Sequence, residues 1–373
     1  MDFTLTDEQQ MLREGAERYL QENYPFERRR ATAATAASCD DATWAAFAEM
    51  GWLALTVPEE AGGLGAGVIE AALLHEALGR RNVLEPVATS AVLCARLIER
   101  SGHAAARETV LPAIAGGEAR VALACLEPDR YYALVAPSTV ARRDGDGYVL
   151  SGAKIVVVDA PAAHRFIVSA GVAGESGCAL FLVDATAAGL EQRAYPLIDG
   201  RRAADLDLRD VRVGADALLC GPAEGAAVLD EALDRFRIVQ VADALGAMEA
   251  VIDLTAEHIR NRKQFGQPLA TFQALQHRMS ESFVKVQELR SALYHAFAHV
   301  DAPPAERNAA VSAAVVVASE AGRVVGGQGI QLHGGVGMTE EYQVGHYFKR
   351  LLVTEKLWGD VDFHLDRIAF NYR

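Results

Sequence analysis

Two short segments of this chain combine side chains and backbone suited to holding a phosphorylated ligand. Residues 262–269 read RKQFGQPL, and Gln273 lies eleven residues beyond Arg262. A guanidinium is a planar fork of donors that matches a pyrophosphate, and an aromatic ring such as Phe265 can pack on an adenine or ribose, although taken alone such a turn reads first as a structural helix terminus. Residues 331–350 read QLHGGVGMTEEYQVGHYFKR. The adjacent Gly334 and Gly335 let backbone approach a ligand with no Cβ in the way. His333 reads as a packed turn histidine, because no second metal ligand accompanies it. Residues 355–360, EKLWGD, then place the carboxylates of Glu355 and Asp360 on either side of Trp358. Near a helix such groups are commonly solvated or ion-paired; the functional alternative is proton abstraction.

The elements that must position these residues follow from periodicity. Residues 3–24 and 42–115 are rich in Ala, Leu and Glu with apolar residues at helical spacing, for example Leu12, Ala16 and Leu20. From about Val121 short β-branched runs alternate with turn signals, including DGDG at 144–147. Strands are expected over residues 148–150, 155–158, 166–169, 179–183 and 204–213, making a small antiparallel sheet or barrel. Residues 223–259 contain no proline and predict one long helix. Further helices are expected over 272–299, 306–325 and 344–368, with Pro268, Pro303 and Pro304 marking the breaks.

A chain of 373 residues exceeds the usual limit of one core, so more than one domain is expected. Hydrophobic residues at 51% and charged residues at 23% fit a globular protein rather than a disordered one. No run approaches the roughly 20 apolar residues that span a bilayer, and the acidic, polar N-terminus does not read as a secretory signal, so a cytoplasmic protein is expected. The net charge of -14 argues against general affinity for nucleic acid or anionic membrane. Five widely spaced cysteines, Cys39, Cys94, Cys125, Cys178 and Cys220, read as buried free thiols. The cluster Arg28, Arg29, Arg30 reads as a solvated helix end or a subunit contact.

Together, R-x-x-F-G at 262–266, Gln273 and Q-x-x-G-G at 331–335 resemble the acyl-CoA dehydrogenase family, as does LDLRDVRV at 206–213. The resemblance covers essentially the whole chain. It implies the acyl-CoA dehydrogenase fold: an N-terminal all-α domain (1–118), a middle antiparallel β domain (119–217) and a C-terminal four-helix bundle (218–373). It also implies FAD as cofactor. Arg262, Phe265, Gln273, Gln331, Gly334 and Gly335 match residues with which one subunit of the family holds the adenosine and pyrophosphate half of an FAD bound mainly to its neighbour.

Three departures accompany the resemblance. The family segment T-E-P-x-A-G-S-D is matched by Leu126, Glu127, Pro128, Asp129, Arg130, Tyr131, Tyr132 and Ala133, and K-x-W-I-T-N by residues 154–159, KIVVVD. The hydroxyls that the family sets against the flavin are thereby replaced by Leu126 and Val158. Leaving flavin acceptors unpaired there would cost roughly 1 to 3 kcal/mol each. The family's catalytic Glu precedes a Gly near the C-terminus, where this chain has Trp358 before Gly359. The alternative site for that Glu, in a D-x-E-R context on the long helix, is Phe236 within Asp234, Arg235, Phe236, Arg237. Asp234 and Arg237 match positions near bound CoA, with a structural ion pair as the equal alternative, and the Trp358 N–H offers a backbone donor to a thioester carbonyl; these three are the substrate-binding candidates.

The chain thus resembles the smaller, base-lacking subunits of heteromeric acyl-CoA dehydrogenases, such as the pimeloyl-CoA dehydrogenase small subunit and paired enzymes of steroid side-chain degradation. The implied activity is α,β-dehydrogenation of a fatty or steroid acyl-CoA in a heterotetramer with a Glu-bearing partner. One alternative is a self-sufficient, homo-oligomeric flavoprotein that uses Asp360 or another acid, or that catalyses acyl-CoA reduction or elimination. A noncatalytic scaffold is the other.

Overall fold

The protein is described by a computed structural model covering residues 4–128, 130, 132–134 and 136–371. Six α-helices come first: α1 (Asp7–Asn23), α2 (Phe26–Ala34), α3 (Asp41–Glu49), α4 (Val68–Arg80), α5 (Ala95–Ser101) and α6 (Ala104–Ala115), with a π-helix over Val87–Cys94. Eight strands follow: β1 (Val121–Ala124), β2 (Val140–Asp144), β3 (Gly147–Val158), β4 (Arg165–Val172), β5 (Ala179–Asp184), β6 (Leu190–Pro196), β7 (Arg202–Val213) and β8 (Leu218–Cys220). The chain then forms α7 (Gly225–Asn261), a hairpin of β9 (Lys263–Gln264) and β10 (Gln267–Pro268), α8 (Gln273–His299), α9 (Pro304–His333), α10 (Val344–Lys356) and α11 (Val361–Asn371). These elements divide into two compact units.

The first unit comprises the residues up to Arg30, Val68–Val83 and those from Arg237 onward. Its helices are joined at backbone level where α4 crosses α7. A Cβ on Gly79 would lie 2.0 Å from the Asp243 carbonyl oxygen, and one on Gly246 would lie 1.9 Å from that of Glu76. Only glycines permit so close a crossing. Around it, Arg350 of α10 donates Nε and Nη2 to Asp243 at 3.0 and 2.9 Å, and Arg290 of α8 bridges Glu76 and Glu249. Arg29 also belongs to this interior: it is buried and donates Nε to the Asn82 carbonyl, so the middle of the arginine cluster is neither solvated nor a subunit contact.

Against the expectation of no such run, the helical stretch Pro304–Met338 is long and apolar enough by length and composition to cross a bilayer. Its buried Val311, Ala314, Val315, Ala318, Ala321 and Val325 recur at helical spacing and lie inside the unit, which is the pattern of a core helix. The helix expected over 344–368 is two helices, because Trp358 and Gly359 take φ of 66° and 127° and break it.

The second unit comprises Ala31–Gly67 and Leu84–Phe236. Its strands run in the order β6-β7-β3-β2-β4-β5-β8, with β1 also paired to β4. The sheet is mixed, not antiparallel as expected. β4 pairs in parallel with β1 (Val121↔Arg165) and with β2 (Val140↔Gly171), while the other pairings are antiparallel. Parallel neighbours need a crossover, and β3 supplies it between β2 and β4. Phe166, Phe181, Leu150, Leu206 and Val211 fill the core of this unit.

Gly79→Ala or Gly246→Ala is expected to lower stability by about 3 kcal/mol or more, because backbone must move to admit the methyl group. Gly15→Ala on α1, where a Cβ meets nothing within 4 Å, is the control and should be neutral or stabilising. Urea unfolding midpoints decide, and an unchanged midpoint for both crossing variants would contradict the described packing.

Candidate functional site

The residues picked out from the sequence at 262–273 and 331–335 occupy one end of the first unit. Arg262 follows α7 directly, donates its backbone N–H to the His258 carbonyl at 2.8 Å and accepts from the Leu269 N–H. The β9–β10 hairpin then turns at Phe265 and Gly266, with φ of 54° and 82°. Positive φ at both central residues is the geometry of a tight hairpin turn, which asparagine and glycine favour and an aromatic does not. Phe265 is nevertheless 88% exposed, with Phe272 edge-on at 6.1 Å. An aromatic held out in a costly backbone conformation marks a surface shaped for a ligand or partner. Gln273, the first residue of α8, is exposed beside it.

At the end of α9, Gly334 takes φ 64° and ψ -141°, a region open to glycine alone. A Cβ on Gly334 or Gly335 would meet nothing within 4 Å, so what these glycines leave room for lies outside the chain. Gln331, Gly334 and Gly335 are all exposed. The ring of His258, on the last turn of α7, rests on that of His333 with centroids 4.4 Å apart, and Arg278 of α8 donates to Gln328 of α9 at 3.0 Å. These contacts bring the two turns side by side. An exposed guanidinium, an outward-held aromatic and two open glycines form a surface able to grip an adenosine pyrophosphate.

The region around residue 358 is closed by contrast. Trp358 is buried at 4% exposure, and its carbonyl accepts from both Nε and Nη2 of Arg237 at 3.1 and 2.8 Å. A Cβ on Gly359 would sit 2.5 Å from His364 Nε2, so the turn cannot easily take another shape. Behind it, Arg237, Gln240, Val241, Ala318, Thr354 and Trp358 line a cavity of about 20 Å³. That volume admits about one water molecule and no acyl chain.

Both neighbouring carboxylates have structural partners. Glu355 is buried, receives two hydrogen bonds of 2.5 Å from Arg323, and is held below the usual carboxylate range by them. Asp360 caps α11, its Oδ1 accepting from the Phe363 N–H at 3.0 Å. Neither is poised as a base. Phe236 is buried in the portion of α7 that belongs to the second unit, as is Asp234, and Arg237 is engaged by Trp358.

Models of the acyl-CoA dehydrogenase N-terminal and C-terminal domains match residues 6–118 and 223–372. The chain belongs to the acyl-CoA dehydrogenase family. It is 29% identical to the mitochondrial isovaleryl-CoA dehydrogenase of Arabidopsis thaliana over 360 residues, 94% of this chain and 87% of that protein. Among solved structures it resembles the Tcur3481-Tcur3483 steroid ACAD at 30% identity and TM-score 0.88, covering 99% of this chain and 98% of the other. It also resembles the ChsE4-ChsE5 complex from Mycobacterium tuberculosis at 28% identity and TM-score 0.91, covering 100% and 99%.

Acyl-CoA dehydrogenases are FAD-dependent oxidoreductases, so both halves of a flavin site can be tested on this family member. The exposed turns of the first unit fit the adenosine and pyrophosphate half. The segments of the second unit do not fit the ring. Their polar groups are already bonded within the unit: the Leu126 carbonyl accepts from the Ile155 N–H at 2.9 Å, the Val156 N–H donates to Asp205 at 3.2 Å, and the Asp159 N–H donates to the Arg202 carbonyl at 2.8 Å. Thr89 of the π-helix donates to the Asp159 carboxylate at 2.7 Å. The side chains of Leu126 and Val158 offer no hydrogen bond, while Asp129 and Tyr131 lie outside the described residues.

What sequence reading missed here is a buried ion pair. Lys154 donates Nζ to Glu127 at 2.7 Å and to Ser169 at 2.9 Å, and Glu127 also accepts from the Ser138 and Thr139 N–H groups. The signal available was that Glu127 and Lys154 both persist in segments whose neighbours depart from the family pattern.

Burial pushes the Glu127 pKa up, but Lys154 and the two N–H donors outweigh it and bring the group down from 4.5 to about 2. A depressed carboxylate stabilises the fold above its unfolded pKa and loses that contribution as pH falls from about 4.5 towards about 2. Lys154→Met is expected to cost about 3 to 5 kcal/mol at neutral pH by stranding Glu127, and to abolish the loss in that acid window. Thermal melts of both proteins between pH 7 and about 2.5 test this; parallel curves would contradict it.

Proposed function

We propose that this chain is the base-lacking subunit of a heteromeric acyl-CoA dehydrogenase, lending its exposed turns to an FAD bound mainly by a Glu-bearing partner. The observation that carries the reading is the closed turn at Trp358. The residue at the family's catalytic Glu position is buried, its carbonyl is pinned by Arg237, and the cavity behind it is too small for an acyl chain. The exposed grip on the other side of the ledger is intact, with Arg262, Phe265, Gln273, Gln331, Gly334 and Gly335 presented outward.

FAD, when bound, accepts the hydride in α,β-dehydrogenation of an acyl-CoA. The part this chain takes is binding: Arg262 supplies charge-assisted hydrogen bonds to pyrophosphate, Phe265 packs on the adenosine, and the two glycines admit the phosphates to backbone N–H groups. The proton from the substrate goes to the partner's acid, since Glu355 and Asp360 are committed to Arg323 and to α11. Resemblance to two structures whose names pair two different chains supports a heteromeric assembly. A scaffold without chemistry has no physical need for an exposed aromatic at positive φ beside two open glycines.

Purified alone, the chain is expected to carry almost no flavin, read as absorbance near 450 nm against protein. Co-expressed with a Glu-bearing subunit, it should yield one flavin per pair of unlike chains, and Arg262→Ala should strip that flavin while leaving the complex assembled. A yellow protein with one flavin per chain in isolation would overturn the reading. Trp358→Glu alone is expected to give no detectable dehydrogenation of acyl-CoA, because an acid at that position does not restore the flavin-ring partners that the second unit lacks; measurable turnover by that variant would show that the site was only one side chain away from competence.

A further inference from the structure

The two turns of the clamp are held by histidines with no assigned role. His258 occupies the last turn of α7, and its carbonyl accepts the Arg262 N–H. His333 is the final residue of α9, immediately before Gly334. Their imidazoles meet with centroids 4.4 Å apart and planes inclined by 31°. His333 Nδ1 lies 2.7 Å from the Gly329 carbonyl oxygen, which assigns the proton to that nitrogen and leaves Nε2 to accept from the Tyr342 hydroxyl at 3.2 Å. The Tyr342 ring flanks His333 on another side at 5.0 Å. His333 is buried and His258 half-buried, so three rings form a wedge between the arginine turn and the glycine turn.

The charged groups facing this wedge are Arg262 beside His258 and Glu257 beside Tyr342. Burial, His333 and Arg262 all push the His258 pKa below its ordinary value, and burial does the same to His333. Both rings are therefore neutral at pH 7 when the clamp is empty. An anion bound by Arg262 cancels the cation that His258 faces.

We propose that His258 and His333 are positioning residues of the pyrophosphate clamp, their stacked pair setting the gap between Arg262 and the Gly334–Gly335 backbone, and that filling the clamp draws a proton onto His258. This rests on the clamp reading given above. Its sign follows from linkage: a ligand that favours the protonated form binds more tightly as pH falls.

ADP-ribose, which carries the adenosine pyrophosphate of the cofactor as a diester that does not titrate between pH 6 and pH 8, is the probe, titrated into the full chain at pH 8 and pH 6 with binding followed by ligand-observed NMR. Wild type is expected to bind about fivefold more tightly at the lower pH. His258→Phe keeps a ring in the wedge and should hold the pH 8 affinity within about twofold while losing the pH dependence. His258→Ala removes the wedge and should weaken binding about tenfold at both pH values, with a melting temperature checked to confirm folding. Wild-type affinity in His258→Ala, or wild-type pH dependence in His258→Phe, would overturn the proposal. Arg262→Ala separates the two ideas. Binding that is absent in wild type or indifferent to Arg262→Ala defeats the clamp reading and the proposal with it. Binding that needs Arg262 but ignores His258 defeats only the positioning role.

Discussion

The crossing of α4 and α7 through Gly79 and Gly246 is the constraint on which the first unit depends. Contact between two backbones fixes both the height and the rotation of a helix, where side chains would leave some slack. With α7 so fixed, Asp243 faces Arg350, Glu249 faces Arg290, and Arg237 faces the carbonyl of Trp358. The same helix carries His258 and Arg262 to the opposite end, about 30 Å away at roughly 1.5 Å per residue. One rigid rod thus holds a closed turn near one end and an open grip at the other.

The two ends treat buried and exposed groups in opposite ways. Near Trp358 the donors and acceptors of Arg237, Glu355 and Asp360 are turned upon the chain itself. Near Gly334 a backbone shape that only glycine adopts readily faces open space. In the second unit, the loop and strand that meet a flavin ring elsewhere in the family are likewise self-satisfied, through Glu127, Lys154, Asp205 and Thr89. A backbone N–H donated internally, such as that of Val156 or Asp159, cannot be offered to a ligand without first breaking a bond.

Much of this was legible in the sequence, because it rests on local signals. The long helix expected over 223–259 is α7 over Gly225–Asn261, and the DGDG segment is the tight turn joining β2 to β3. The order of helices, sheet and helices is as expected. The parallel partners of β4 were not legible, since strand order depends on contacts between residues far apart in sequence. Strand β6, with its exposed charged residues, lacks the apolar alternation that announces a strand. At the site, the sequence showed Trp358 and Phe236 where the resemblance expects an acid, but the commitments of Glu355, Asp360 and Arg237 are tertiary facts that no spacing encodes. The pairing of His258 with His333, 75 residues apart, is of the same kind.

The lock on Trp358 bears on how such a chain evolves. The shortest path from a tryptophan codon to a glutamate codon runs through glycine or a stop, and the turn it occupies sits at φ 66°, where glycine is at ease and glutamate is not. Even after that passage the new acid would sit in a turn whose carbonyl is already bonded to Arg237. Each step back toward an independent catalyst would have to be fixed before any of them restored turnover. On the proposed division of labour the geometry acts as a ratchet: with the turn closed, a grip on a neighbour's cofactor is refined far more readily than a catalytic centre is recovered.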